Sequence, residues 1–262
     1  EPTQLSRVIA GNNILNAVFM VAAAIIAVVM LDRGLNIPQL LLVMAIFNAA
    51  VAVYIFGLVP EFLMRFIVWL LVNVGYRLRT RGLGHIPDEG PAVVVCNHVS
   101  FMDGLIVIGC CRRPVRFVMD HQIFKIPLLN FVFRTAGAIP IASARENPEI
   151  LERAYDRVAH YLEEGEVVGI FPEGRLTADG EIGPFKAGIE QIIQRTPAPV
   201  VPMALRGLWG SFFSRRYGKA MSHFPRRFWS RIELAVGESI PAERATSALL
   251  RERVAALRGD WP

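Results

Sequence analysis

The first 60 residues carry almost no charge, and this feature limits the folds open to the chain more than any other. The whole chain of 262 residues contains 28 Lys and Arg and 23 Asp and Glu. From these classes the first 60 residues contain only Glu1, Arg7, Asp32 and Arg33. The apolar excess is therefore confined to one segment, and an entirely water-soluble protein is not expected.

Two apolar runs in this segment have the length of membrane-spanning helices. Residues 14–31 and 40–59 each approach the ~20 residues that a helix needs to cross the hydrocarbon core. Gly34 and Pro38 lie between them and favour a turn. A buried helical hairpin is the alternative, but core helices are usually shorter and amphipathic. The sequence predicts a two-helix transmembrane hairpin over residues 1–60.

Basic residues after the second run predict the orientation of the chain. Four arginines follow it closely, namely Arg65, Arg77, Arg79 and Arg81. The positive-inside bias then places both the N terminus and the large C-terminal part in the cytoplasm. Residues 61–80 are apolar with few interruptions, and we expect an interfacial amphipathic helix and linker there. Residues 81–262 are expected to form a globular domain.

The globular part alternates short apolar runs with helical stretches. The runs at residues 92–96, 115–119, 166–171 and 199–205 are largely continuous and rich in β-branched side chains, which is typical of strands covered on both faces. The clearest helix spans residues 148–164, with Asn147 as its N-cap. This alternation predicts an α/β fold with a mixed, largely parallel sheet flanked by helices.

A histidine and an aspartate follow the first of these runs at a spacing that suits catalysis. His98 leaves the run at 92–96, and Asp103 stands five positions later at a predicted helix start. The carboxylate would fix the imidazole tautomer and stabilise the imidazolium as it forms. The nucleophile of a covalent mechanism is missing, because there is no Gly-x-Ser-x-Gly elbow. The pair therefore suits a general base acting on a substrate hydroxyl.

A second charged turn follows the run at 166–171. Glu173, Gly174 and Arg175 form a turn in which a guanidinium can face phosphate with little obstruction. Lys186, close to another predicted helix start, is a second candidate phosphate contact. A solvated ion pair on a surface turn is the alternative interpretation of this segment.

Taken together, these segments resemble the glycerolipid acyltransferase family, whose type member is 1-acyl-glycerol-3-phosphate acyltransferase. Residues 97–103 (NHVSFMD) match its first motif, residues 171–175 (FPEGR) resemble its third, and Val201-Pro202 resembles its fourth. The resemblance covers roughly residues 80–240. It implies that His98 deprotonates a glycerol hydroxyl, which attacks an acyl thioester, while Asp103 orients His98. It further implies that Glu173, Gly174, Arg175 and Lys186 hold the glycerol-phosphate of the acceptor.

The sequence departs from the family pattern in two motifs. The third usually has Thr before its Arg, whereas Arg175 follows Gly174 directly. The second usually carries an Arg shortly after an Ile, and residues 137–142 (GAIPIA) contain none, so Arg145 is the nearest candidate. Both variants resemble the acyltransferase part of 2-acylglycerophosphoethanolamine acyltransferases. Residues 6–21 are similar to late helices of lysophospholipid transporters that occur fused to such enzymes, together with acyl-activating domains.

Further candidates come from the same loops. Asn97 and Ser100 flank His98, while His121 and Lys125 follow the run at 115–119 and could line the acceptor site. Local hydrogen bonding is the more common role of such polar residues.

Residues 206–231 are basic, aromatic and free of acidic side chains. Membrane contact is the favoured interpretation, because each Lys or Arg contributes about 1 kcal/mol against anionic lipid and Trp anchors at headgroup depth. An ordinary solvated loop and a nucleic-acid surface are the alternatives, and no nucleic-acid partner is expected. The residues assigned to the membrane surface are Arg215, Arg216, Arg226, Arg227 and Trp229.

The sequence thus predicts an integral acyltransferase of the bacterial inner membrane with its catalytic domain in the cytoplasm. It would move a fatty acyl group from acyl-carrier protein or acyl-CoA to a lysophospholipid or lysophosphatidic acid. Membrane lipids are expected partners, and neither a cofactor nor a metal is expected. The alternative is an inactive headgroup-binding module attached to the terminal helices of a transporter.

Overall fold

A computed structural model describes residues 2–222 and 229–260 of the chain. The chain divides into two compact units between Val59 and Pro60. The first unit contains two helices, α1 (Pro2–Asp32) and α2 (Ile37–Leu58). The second contains a sheet with its flanking helices.

The two N-terminal helices agree with the predicted apolar runs. Segments of 27 and 22 residues, Ser6–Asp32 and Ile37–Leu58, are long and apolar enough to cross a membrane by length and composition, and neither is buried in the protein. Asn36 caps α2 through a reciprocal pair of hydrogen bonds with Gln39, each side chain accepting from the other's backbone N–H. The turn between the helices is therefore defined by local capping chemistry.

A mixed sheet of seven strands forms the centre of the second unit. The strands are β1 (Arg77–Arg81), β2 (Ala92–Cys96), β3 (Val115–Asp120), β4 (Ile139–Ile141), β5 (Val167–Ile170), β6 (Val200–Arg206) and β7 (Arg231–Val236). Their order is β1-β7-β6-β2-β5-β3-β4, and every neighbouring pair is parallel except β6 and β7. The predicted mixed, largely parallel α/β sheet is confirmed.

Helices cover both faces of this sheet. They are α3 (Pro60–Gly75), α4 (Asp103–Cys110), α5 (Pro127–Thr135), α6 (Pro148–Glu163), α7 (Gly188–Arg195) and α8 (Ser247–Arg258). Alternate residues of β2 face opposite clusters: Val94 and Cys96 pack on the side of α3 and α4, and Val93 and Val95 on the side of α6, α7 and α8. This two-sided burial explains the continuous apolar run of β2.

The boundary predicted at residue 80 falls inside a strand. Residues 77–80, predicted as the end of a linker, belong with Arg81 to β1, which pairs with β7 at the edge of the sheet. Their charged side chains conceal the strand because an edge strand buries little of its surface. Helix α3 belongs to the same unit and buries Val68 and Val72. Its exposed face carries a stacked pair, Phe66 and Trp69, and its interfacial location stays a prediction.

A buried cation ties the interfacial candidate α3 to the sheet. Arg116 of β3, whose side chain is 11% exposed, donates from Nε to Glu166 Oε2 at 2.5 Å and from Nη1 to Glu61 Oε1 at 3.0 Å. It also donates to the carbonyl oxygen of Ala136 at the end of α5 and lies over the ring of Tyr161. One guanidinium therefore joins elements that are distant along the chain.

Removing this cation should destabilise the fold. We expect Arg116→Met to lower the free energy of unfolding by about 2–4 kcal/mol, because it leaves two partly buried carboxylates without their partner. The matched control is Arg153→Met, since Arg153 forms an exposed pair with Glu149 that contributes less than about 1 kcal/mol. Denaturant unfolding of both variants in detergent measures the difference. Equal losses in the two variants would contradict the role given to Arg116.

Candidate active site

The loop between β2 and α4 is folded around one carboxylate. Asp103 is fully buried, and its Oδ2 accepts hydrogen bonds from the backbone N–H groups of Val99 at 2.6 Å and Ser100 at 2.9 Å. The same oxygen lies 2.9 Å from His98 Nδ1. An ionised carboxylate only accepts hydrogen bonds, so this contact predicts a proton on Nδ1 of His98. The predicted contact between His98 and Asp103 is therefore formed.

Aromatic stacking fixes the plane of the imidazole. The ring of His98 lies on that of Phe171 with centroids 4.1 Å apart and an interplanar angle of 11°. Phe171 in turn stacks on Phe117 at 5.1 Å. The side chain of His98 is 20% exposed and forms part of a cavity wall. The hydrogen bond to Asp103 and the stacking on Phe171 thus orient the imidazole, and His98 remains accessible from the cavity.

Asn97 and Ser100 support the loop from within the protein. Asn97 Oδ1 accepts from the backbone N–H of Leu205 at 2.8 Å, and its Nδ2 donates to the carbonyl oxygen of the same residue at 3.0 Å. Ser100 is fully buried, and its Oγ accepts from the N–H of Met102. Asn97 consequently holds the loop against β6, while Ser100 stabilises the loop internally.

A second buried carboxylate connects the turn after β5 to His98. Glu173 is 6% exposed; its Oε1 accepts from the backbone N–H of His98 at 2.9 Å and its Oε2 from that of Gly183 at 2.8 Å. Burial raises the pKa of Glu173, and the two backbone donors oppose that rise. Both oxygens thus bond to protein backbone, so the structure gives this predicted phosphate contact a bracing role.

The remaining residues of the turn face the cavity. Gly174 has a φ of +65°, and a Cβ there would overlap the ammonium end of Lys186. Glycine suits this position because the backbone is left-handed, a conformation that most side chains disfavour. Arg175 follows, and within the described part of the chain neither Arg175 nor Lys186 forms a hydrogen bond or ion pair through its side chain. Two free cations therefore border the cavity that His98 lines.

The cavity lies at the carboxyl edge of the parallel strands. Its volume is about 700 Å³, within the range of about 300–1,000 Å³ for ligand sites. His98 and Arg175 follow the adjacent strands β2 and β5, and Asp120 ends β3 beside them. The wall is otherwise mostly apolar, with Leu105, Ile108, Phe117, Phe133, Ala138 and Ile141 among its residues. A base, cations and an apolar lining thus meet in one space, as an amphiphilic ligand requires.

Comparison with known proteins agrees with this site. A family model described as Acyltransferase matches residues 77–206, which include both charged loops around His98 and Glu173. The chloroplastic 1-acyl-sn-glycerol-3-phosphate acyltransferase of Arabidopsis thaliana is 33% identical over 143 residues, which is 53% of this chain and 39% of that protein. The 1-acyl-sn-glycerol-3-phosphate acyltransferase of Pseudomonas aeruginosa is 28% identical over 185 residues, 68% of this chain and 65% of that protein.

The part of the chain that carries both loops, residues 77–206, belongs to the Acyltransferase family. The chain spans about two fifths to two thirds of the length of these two curated relatives. The crystal structure of the 1-acyl-sn-glycerophosphate (LPA) acyltransferase from Thermotoga maritima has the same fold, with a TM-score of 0.58 and 22% identity over 82% of this chain and 91% of that one.

Three further candidates do not form the wall of this acyltransferase-family cavity. The ring of His121 is held between the carboxylates of Asp120 and Glu146, with a nitrogen 3.6 Å from each. Lys125, at the end of a short 3-10 helix, and Arg145, on a turn, are exposed and lie outside it. The structure therefore brings together His98, Asp103, Gly174, Arg175 and Lys186, but not these three.

The residues predicted to contact the membrane surface divide into different environments. Arg215 lines the cavity, which the sequence analysis did not anticipate. The guanidinium of Arg216 lies over the ring of Tyr217 at 5.6 Å. Trp229 is 53% exposed and contacts Arg77 through its ring. Arg226 and Arg227 lie outside the described residues.

In residues 2–222 and 229–260, no group of three or more His, Cys, Asp or Glu side chains is placed to hold a metal ion.

The bracing role of Glu173 can be tested without substrate. We expect Glu173→Gln to lower the free energy of unfolding by about 1–3 kcal/mol, because an amide NH₂ would replace one acceptor and face a backbone N–H. Asp179→Asn is the matched control, since both bonds of Asp179 use one oxygen that the amide retains. Thermal unfolding of the ligand-free protein compares the two. An unchanged midpoint in Glu173→Gln would favour a substrate contact alone.

Proposed function

We propose that this protein is a membrane-bound O-acyltransferase that acylates a free glycerol hydroxyl of a lysophospholipid or lysophosphatidic acid. The observation that supports this most directly is the oriented His98–Asp103 pair on a cavity that also carries Arg175 and Lys186. The acyl donor is a thioester of acyl-carrier protein or coenzyme A. The relatives' names support lysophosphatidic acid as an acceptor class.

The chemistry follows from the free nitrogen of the imidazole. Nε2 of His98 removes the proton from the glycerol hydroxyl, and the oxygen attacks the thioester carbonyl carbon. The tetrahedral intermediate collapses as the C–S bond breaks, and the thiolate takes the proton back from His98. Asp103 stabilises the imidazolium that exists between these two steps. No acyl-enzyme is formed, so the protein needs no nucleophilic side chain of its own.

The polar and the apolar residues of the cavity wall bind different parts of the acceptor. Arg175 and Lys186 bind the phosphate of the acceptor, since both are cations on the cavity wall whose side chains form no hydrogen bond or ion pair among the described residues. Phe117, Phe133 and Ile141 give the fatty chain an apolar surface. The hydrogen bond from the backbone N–H of His98 to Glu173 holds the loop of His98 against the turn that carries Arg175.

The choice of headgroup is open to a direct test. The departures at the second and third motifs support a phosphodiester acceptor such as 2-acylglycerophosphoethanolamine, and the acidic side chains of Asp120 and Glu146 on the cavity wall would suit its ammonium group. Mass spectrometry of products from a panel of lysolipids, each with acyl-CoA and with acyl-carrier protein, identifies acceptor and donor. Binding of lysolipids without any transfer would instead favour the inactive headgroup-binding module.

We place the reaction at the cytoplasmic leaflet of a bacterial inner membrane. The length and apolar composition of α1 and α2 support two spans, and the arginines that follow α2 support a cytoplasmic catalytic unit. The exposed aromatic face of α3 would then lie at the interface, close to the lipid substrate. Fusion to a transporter stays a prediction.

Loss of the base should abolish most of the rate. We expect His98→Ala to reduce kcat by about 10²–10⁴-fold, because proton removal then falls to water. His160→Ala is the control, since His160 is exposed on α6, where it pairs with Glu164 and its ring lies beside that of Tyr161. Initial rates with a radiolabelled acyl donor measure both variants. Turnover near that of the unaltered protein in His98→Ala would exclude the mechanism.

A further inference from the structure

Arg215 lies on the wall of the same cavity as His98 although it is remote from it in sequence. It belongs to the loop after β6, beyond the residues 77–206 that match the family model. The matched motifs therefore say nothing about its role. The contacts of the loop that carries Arg215 determine its position in the fold.

The loop of Arg215 is hydrogen-bonded to the catalytic loop. Ser214 is fully buried and forms a β-bridge with Ser100, and the N–H of Phe101 donates to the carbonyl oxygen of Phe213 at 3.2 Å. Ser214 Oγ accepts from the N–H of Gly210 at 2.9 Å. Arg215 thus follows a residue that is bonded to the segment between His98 and Asp103, and it lines the cavity as an exposed residue.

The guanidinium of Arg215 is a third free cation on the cavity wall. Within residues 2–222 and 229–260 it makes no hydrogen bond or ion pair, as is also true of Arg175 and Lys186. The neighbouring Arg216 differs, because its guanidinium packs on the ring of Tyr217. Three unpaired cations beside one base favour a ligand with concentrated negative charge, and an Arg fork suits the oxygens of a phosphate.

The second motif contributes no arginine to the cavity wall. Residues 137–142 contain none, and Arg145, the first arginine after them, is exposed and outside the wall. Arg215 reaches the cavity on a different loop, which follows β6 on the side of β2 opposite β5.

The geometry points to Arg215 as a further substrate-binding residue that holds the phosphate of the acceptor during acyl transfer. This inference rests on the proposed function. Phosphate groups also occur in the acyl donor, but there the whole pantetheine arm separates them from the thioester. In the acceptor the glycerol unit alone separates phosphate from the reacting hydroxyl, so a cation close to His98 meets the acceptor.

Steady-state kinetics of the full chain in neutral detergent micelles tests the assignment. We expect Arg215→Gln to raise KM for lysophosphatidic acid by about ten- to a hundredfold, as loss of a charge-assisted contact predicts. KM for the acyl donor and kcat should stay within about twofold, and Arg215→Lys should restore part of the affinity. Arg216→Gln, which removes the adjacent cation outside the cavity, should leave all three parameters near their original values.

Two kinetic results would overturn the inference. An acceptor KM that is unchanged in Arg215→Gln would make Arg215 a solvent- or membrane-facing residue. A raised donor KM with an unchanged acceptor KM would assign it to the phosphate of the carrier.

A binding experiment separates this inference from the proposed reaction. Calorimetric titration of a soluble short-chain lysophosphatidic acid into His98→Ala measures affinity without turnover, and the variant with Arg215→Gln added should bind at least tenfold more weakly. That result would support the phosphate contact even if the unaltered protein transferred no acyl group. Equal affinity in the two proteins, or no binding to either, would refute it.

Discussion

The site depends first on the buried carboxylate of Asp103. One of its oxygens accepts from two backbone N–H groups and from the imidazole of His98, so the shape of the loop and the tautomer of the base are set by the same atom. Its position at the start of α4 places this negative charge where the helix dipole stabilises it. The carboxylate of Glu173 also accepts from a backbone N–H group, and in this way it holds the backbone of His98 to the turn after β5. Two carboxylates thus shape the site from inside the protein.

The parallel sheet determines which loops meet around these carboxylates. The strands β6, β2, β5 and β3 are adjacent and parallel, so the segments that follow them emerge at one edge. That edge receives the base from β2, a cation from β5 and a second cation from the loop after β6. Because β2 is buried on both faces, its end can move little, and the loops are positioned by the packing of the core. The apolar wall of the cavity is a continuation of that core.

Local chemistry could be predicted from the sequence, whereas distant pairings could not. His98 and Asp103 belong to one short segment, and the cap of α6 at Asn147 is also local, so their predicted contact and the predicted cap are both present. The catalytic role of the pair stays a prediction. The edge strand β1 was hidden by its arginines. Glu173 looked like a phosphate ligand because its backbone partners lie on other loops, 75 residues away in the case of His98. Arg215 looked like a membrane contact because its loop docks through backbone contacts between segments distant in sequence, the bridge between Ser100 and Ser214 and the bond from Phe101 to Phe213.

The tautomer of His98 is the most direct test of this account, because general-base catalysis requires a proton on Nδ1 and a free Nε2. Nitrogen-15 NMR of the histidine-labelled protein, assigned with His98→Ala, reports which ring nitrogen of the neutral imidazole is protonated. The account predicts a protonated, hydrogen-bonded Nδ1 in the unaltered protein and loss of that preference in Asp103→Asn. A proton on Nε2, or a spectrum that Asp103→Asn leaves unchanged, would contradict it.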